Sequence, residues 1–240
     1  IHNVYGPHPA GNVGVQIGKI SPINAGERVW TVTPQDVATI GELFLTGKFN
    51  ATRTVALVGS EVKDAQYYNV ISGAAIADLV AGKIEGDNVR VISGDVLTGT
   101  KVKMNGNLGF LSNTVTIIPE GNVYRMFGWM PFASPSVHSA SRTGLSWLMP
   151  GKKYAPNTNL NGEERALVVT GEMETVMPLD IFPMQLLKAC LASDIDKMES
   201  LGIYEVAPED FALIDYTNTS KLEAQQIIRE ALDLMIKEVG

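Results

Sequence analysis

The chain has 240 residues, 45% of them hydrophobic and 19% charged, with a formal net charge of −7. That length allows one large domain or two to three small ones, and the composition excludes a low-complexity or disordered chain. The acidic balance argues against nucleic acid and against docking on anionic lipid, and no apolar run approaches the ~20 residues of a spanning helix, which excludes direct membrane insertion.

The first residue is Ile1, and the opening is Gly/Pro-rich with no signal-peptide pattern, which reads as a piece of a longer polypeptide. Arg28-Val29-Trp30-Thr31-Val32 is strand-like. Thr33-Pro34-Gln35-Asp36 then starts a helix: a Thr cap, Pro at the first position and an acid in the first turn. It runs to about Thr46, where Gly47 suits the left-handed closing position. A strand followed by a helix is half of an α/β unit. From about Arg53 to Gly121 the pattern is strand-rich. Thr54–Gly59 reads as a buried strand, Ala74–Val80 as a short helix, and Val89–Ile92 and Thr114–Ile117 as strands. Two strands, a helix and more strands is the order of a β-grasp module, and of other small α+β folds.

Residues 122–170 are Pro/Ser/Asn-rich without a period, yet carry seven large apolar side chains: Phe127, Trp129, Met130, Phe132, Trp147, Leu148 and Met149. They are read as a partner-facing surface, or else as a cap on a neighbouring core. From Gly171 the chain is helical. Pro183 fits a first turn; Leu187, Cys190, Leu191, Asp194 and Met198 follow near helical spacing, with Gly202 after the end. Ser220-Lys221-Leu222-Glu223 has the form of a capping box opening a last helix, with an apolar stripe at Ala224, Ile228, Ala231, Leu232, Met235 and Val239.

No catalytic, cofactor-binding or metal-binding residue emerges. Gly14–Ile20 is a failed phosphate loop: its glycines are one residue too close and Ile20 replaces the magnesium-holding hydroxyl. Gly6, Gly11 and Gly14 are therefore turn glycines. His2, His8 and His138 have no metal-ligand spacing. Cys190, the single cysteine, can form neither an internal disulfide nor a four-cysteine cluster and belongs to a helix core. Glu163, Glu164, Glu172 and Glu174 read as a solvated face.

Several segments, in order along the whole chain, together resemble the A-subunit family of the sodium-pumping NADH:quinone oxidoreductases. They are Gly6–Gly11, Gly128-Trp129-Met130, Asn161–Ala166, Val176–Ala189, Leu201-Gly202, Glu209-Asp210 and Ile236-Lys237-Glu238. The resemblance implies an α+β architecture: a C-terminal part of a Rossmann-like domain (1–52), a β-grasp soluble-ligand-binding domain (53–121), an irregular connector (122–170) and a helical domain (171–240). The same series is similar to the C subunit of the Rnf ferredoxin:NAD oxidoreductase and to the NADH-binding flavoprotein subunit of respiratory complex I. Rnf-type relatives hold an iron–sulfur cluster where this chain has Val206, Glu209, Ala212 and Asn218, none of which supplies a thiolate, so the helical domain resembles a cluster-less ferredoxin-type module.

What the family implies is a peripheral subunit on the cytoplasmic face of the bacterial inner membrane. The complex would oxidise NADH, reduce quinone and export sodium ions. Flavins, iron–sulfur centres and the NADH site are expected on other subunits, and this fragment by itself is expected to be inactive. Its partners would be those subunits, a membrane-embedded one above all, with quinone as a candidate ligand. The rival readings are an electron-transfer subunit of the Rnf type and a free-standing β-grasp ligand-binding protein.

Overall fold

The computed structural model describes residues 1–128, 130, 137–140 and 142–239. It is a mixed α and β protein. The helices are α1 (Val13–Ile20), α2 (Pro34–Thr46), α3 (Ile76–Val80), α4 (Pro183–Leu191), α5 (Ile195–Ser200), α6 (Ala212–Thr217) and α7 (Ala224–Glu238). The strands are β1 (Thr52–Val58), β2 (Gln66–Ile71), β3 (Val89–Ser93), β4 (Thr100–Val102) and β5 (Thr114–Pro119). Two compact units result: Thr31–Tyr124 with Lys153–Asn159, and Ile1–Trp30 with Arg125–Lys152 and Leu160–Gly240.

The first unit holds a five-stranded sheet in the order β2-β1-β5-β3-β4. β1 runs antiparallel to β2, with Thr52 opposite Ile71, and parallel to β5, with Ala56 opposite Thr114. β3 lies antiparallel between β5 and β4. Successive side chains of a strand point to opposite faces, so Val55 and Leu57 share one face of β1. α3 lays Ile76, Leu79 and Val80 among them, with Val62, Val91, Leu108, Val115 and Ile117 completing the core. Each fully buried side chain of this kind is worth roughly 1.5–3 kcal/mol.

The expected strands at 54–59, 89–92 and 114–117 form as β1, β3 and β5. α2 has the expected ends: Thr33 accepts from the Asp36 N–H, and Gly47 sits at φ 70°. β2 and β4 are additions. β2 is an edge strand with only Tyr68 and Val70 half buried, and β4 is three residues long, so neither writes an alternation into the sequence. The strand expected at Arg28–Val32 does not form; these residues are exposed and have no ladder partner. Alternation shapes a strand, but only a neighbouring edge makes one.

The second unit is helical. Its core gathers Met173, Met184, Leu186, Leu187, Met198, Ile203, Phe211, Ile214, Ile228 and Met235. Cys190 is buried there, and burial pushes its thiol up to about 11, which suits a core side chain. The helical run expected from Leu187 through Met198 is broken. Ser193 turns left-handed at φ 52°, and the Asp194 side chain accepts from the Lys197 N–H, 3.2 Å, to start α5.

The capping box expected at Ser220–Glu223 is also absent. Ser220 Oγ donates instead to the Ala166 carbonyl, 3.2 Å, and Lys221 stands at φ 56°, outside helical geometry. Of the expected apolar stripe, Val239 is exposed while Ala224, Ile228, Ala231 and Met235 are buried.

Gly14 is not a turn glycine. It lies in α1, where an added Cβ would sit 2.2 Å from Asp210 Oδ2, and a Cβ at Gly18 would meet Leu179 at 2.8 Å. Small residues let α1 press against the segment that carries Asp210, a contact fastened by the Asn12 amide donating to the Glu209 carbonyl, 3.1 Å. The helix is hidden in the sequence because two glycines in eight residues lower helix propensity.

Candidate functional site

The sheet unit carries a polar cavity built around Arg53. Alternation along β1 turns Arg53 inward beside Val55 and Leu57, and it is buried. A buried guanidinium must be paired. Arg53 Nη2 meets Asp36 Oδ1 and Nε meets Asn113 Oδ1, both at 2.5 Å, while Nη1 donates to the Phe110 carbonyl at 3.1 Å.

Asp36 comes from the first turn of α2. The Thr33 hydroxyl donates to it at 2.6 Å and, with Arg53 contributing, holds its carboxyl below the ordinary range. Gln35 ties α2 to β1, accepting from the Thr54 N–H at 2.8 Å and donating to Asn113 Oδ1 at 2.9 Å. Gln35, Asp36 and Arg53, with Asn50, Ser72 and the rings of Phe49 and Phe110, line a small cleft of about 40 Å³, room for little more than water. Asp36 already neutralises Arg53, so the guanidinium is spent within the fold. Motif and spacing do not single out Arg53; a lone arginine opening an apolar strand is the signal the sequence offers.

A second polar knot lies across β3, β4 and the end of β5. Arg90 grips Glu120 with Nε, at 3.0 Å, and with Nη2, and Lys101 approaches the same carboxylate at 3.4 Å. Led by the Arg90 hydrogen bond, these contacts hold the Glu120 carboxyl down to about 2.

Of the seven apolar residues in the connector, Phe127, Met130, Trp147, Leu148 and Met149 are exposed; Trp129 and Phe132 lie outside the described residues. Gly128 presses on the backbone of Asn161, where an added Cβ would meet the carbonyl oxygen at 2.4 Å, so two motifs that lie apart in the sequence meet in space. The Arg165 guanidinium stands 5.9 Å over the Phe127 ring.

The remaining candidates have structural places. His2 and His8 are exposed, and His138 stacks on Tyr216, with the Tyr216 hydroxyl 3.2 Å from its Nδ1. The acidic face is only partly solvated: Glu172 is half buried and accepts from both the N–H and the hydroxyl of Thr219, at 3.0 and 2.9 Å. Val206 and Ala212 are buried in the helical unit. Asn218, with no exposed surface, donates to the Ile214 carbonyl at 2.7 Å and accepts from the Leu222 N–H at 3.3 Å. No three His, Cys, Asp or Glu residues form a metal-holding group among the described residues.

Residues 1–49 match the domain family described as the NqrA second alpha/beta domain, and residues 54–104 that described as the NQRA C-terminal domain. Over 99% of its length the chain is 39% identical to the A subunit of the Na(+)-translocating NADH-quinone reductase from Neisseria meningitidis serogroup B, covering 53% of that protein. Proteins of the same description from Serratia proteamaculans and Vibrio campbellii are 40% and 37% identical over 97% and 99% of the chain, which covers 52% and 53% of them. The chain thus spans about half the length of the curated relatives it matches.

Proposed function

Because the chain belongs to the family of these reductase A subunits, we propose that it is part of a peripheral subunit of a sodium-exporting NADH:quinone oxidoreductase. The subunit holds the complex together from the cytoplasmic face, borders the quinone site, and brings no redox cofactor of its own. The observation that carries this reading is the alignment over 99% of the chain. Supporting it, Val206, Glu209, Ala212 and Asn218 offer no thiolate at the cluster positions of Rnf-type relatives, and Asn218 spends its side chain on backbone groups.

The domain reading that goes with it places the tail of a Rossmann-like domain at 1–52, a β-grasp domain at 53–121, a connector at 122–170 and a cluster-less helical module at 171–240. A five-stranded mixed sheet with parallel β1 and β5 supports the β-grasp assignment. No helix among the described residues is long and apolar enough to cross a membrane.

The test is affinity purification of the tagged full-length subunit from native membranes. The expected result is co-purification of membrane-embedded subunits, together with sodium-stimulated quinone reduction by NADH. Recovery of the subunit by itself, with unchanged NADH oxidation in membranes lacking it, overturns the reading. Stoichiometric iron in the isolated subunit would instead favour the Rnf-type alternative.

A further inference from the structure

The sheet has two edges, and only one of them is protected. β4 is three residues long, carries Lys101 and is followed by Lys103, so pairing with its own copy would bring ammonium groups together. β2 is six residues long, Gln66-Tyr67-Tyr68-Asn69-Val70-Ile71, with no charge and no proline. It ends the strand order, with β1 on one side and no strand on the other among the described residues. Tyr67 and Ile71 are 77% and 67% exposed, and Asn69 is exposed between them. An uncharged edge of this length is a template for another strand.

Hydrogen-bond parity tells which backbone groups are open. The Thr54 N–H donates to Gln35 Oε1 at 2.8 Å and the Ala56 N–H to the Asn113 carbonyl at 2.9 Å, both away from β2. The bonds to β2 therefore come from Arg53, Val55 and Leu57, which stand opposite Val70, Tyr68 and Gln66. The alternate residues of β2, Tyr67, Asn69 and Ile71, turn their N–H groups outward. The Ile71 carbonyl accepts from the Ala74 N–H at 2.9 Å, so the open acceptors are the carbonyls of Tyr67 and Asn69.

The side chains then say what fits this edge. Read outward from Asn69, β2 is matched to itself: Tyr68 mirrors Val70, and Tyr67 mirrors Ile71. An antiparallel copy sets each tyrosine opposite a β-branched residue, a favourable cross-strand pair on both faces, and sets no like charges opposite each other. The open donors and acceptors match too. Each Asn69 exchanges both backbone bonds with the partner's Asn69, and each Ile71 N–H meets the partner's Tyr67 carbonyl. A two-fold contact requires a patch complementary to itself, which β2 is and β4 is not.

We infer that two copies of the chain pair through β2, antiparallel and two-fold about Asn69, joining their sheets edge to edge. The contact is small, so the association is weak, micromolar or weaker. It does not rest on the activity of any complex.

Amide-resolved hydrogen exchange of the unsubstituted full-length subunit, purified free of other subunits, reads the contact. The Tyr67, Asn69 and Ile71 amides are expected to slow as protein concentration rises, whereas Tyr68 and Val70 are slow at every concentration. Fast exchange of the three amides at all concentrations overturns the inference, even if added subunits later slow them, since the cover would then be another subunit. Slow exchange at all concentrations also overturns it, because the cover would be the subunit's own chain. Sedimentation equilibrium gives an independent readout. Asn69→Lys places two cations at the two-fold axis and should weaken self-association at least about tenfold, with the uncharged Asn69→Thr near the parent and both melting temperatures unchanged. Self-association that survives Asn69→Lys would lie on another surface and overturn the inference.

Discussion

Single residues settle contacts that composition could not reveal. Gly14 is one: its missing side chain is the space that Asp210 Oδ2 occupies. Asp210 is buried, accepts from the Ala207 N–H at 3.0 Å, and is pushed above the ordinary carboxyl range by that burial, so it cannot swing away into water. Gly14→Ala is therefore expected to cost about 1–3 kcal/mol, the usual penalty for overpacking. In an Asp210→Ala background the same change should cost little, and a denaturant double-mutant cycle measures the difference.

Glu120 gives the pH counterpart. Its carboxyl is held down to about 2 by Arg90, then Lys101 and Thr158. A lowered folded value means the unfolded chain binds the proton first. The stabilisation is thus complete above the ordinary Glu range near 4.5 and is lost as pH falls through about 2. Glu120→Gln should remove about 1–2 kcal/mol at neutral pH, a figure reduced for solvent screening, and flatten the acid limb of the melting profile between those values.

At the level of elements, legibility followed the range of the interaction. α2 could be read because both of its ends are local: the Thr33 cap and the Gly47 stop lie within the element's own sequence. β1, β3 and β5 could be read because each is at least partly buried and so writes apolar positions into the chain. The start of α7 could not. Its cap is Asp215, on α6, which accepts from the N–H groups of Ala224 and Gln225 and from the Gln225 amide. Ser220, the local candidate, is bonded to Ala166, far away in sequence. The cavity beside Arg53 was hidden for the same reason, since Asp36, Asn113 and Phe110 converge on it from separate stretches. Asp215→Ala should therefore destabilise by about 1–2 kcal/mol, a lost cap with two orphaned N–H groups. Ser220→Ala should be clearly milder, and amide exchange in the first turn of α7 should rise only for the Asp215 variant.

At the scale of the whole molecule, the question is which surface would hold an acidic chain in the complex proposed for it. A charge of −7 disfavours anionic lipid headgroups, and no helix among the described residues is long and apolar enough to span a bilayer. Apolar protein surface is displayed by the connector in Phe127, Met130, Trp147, Leu148 and Met149, all exposed. Such side chains are costly to leave in water and are the types that dominate interface energy, tryptophan above all. Trp147 is 53% and Leu148 57% exposed, so replacing both by Ser removes little that the isolated fold uses. The double substitution in the full-length subunit should leave its melting temperature within about 2 °C of the parent. If the surface docks a membrane-embedded partner, losing a tryptophan anchor worth about 2 kcal/mol weakens assembly roughly thirtyfold. Titrating the subunit back onto membranes stripped of it, with restored quinone reduction as the signal, reads that change. A large fall in melting temperature would place Trp147 and Leu148 in a core. Unchanged assembly at unchanged stability would move the attachment to another face.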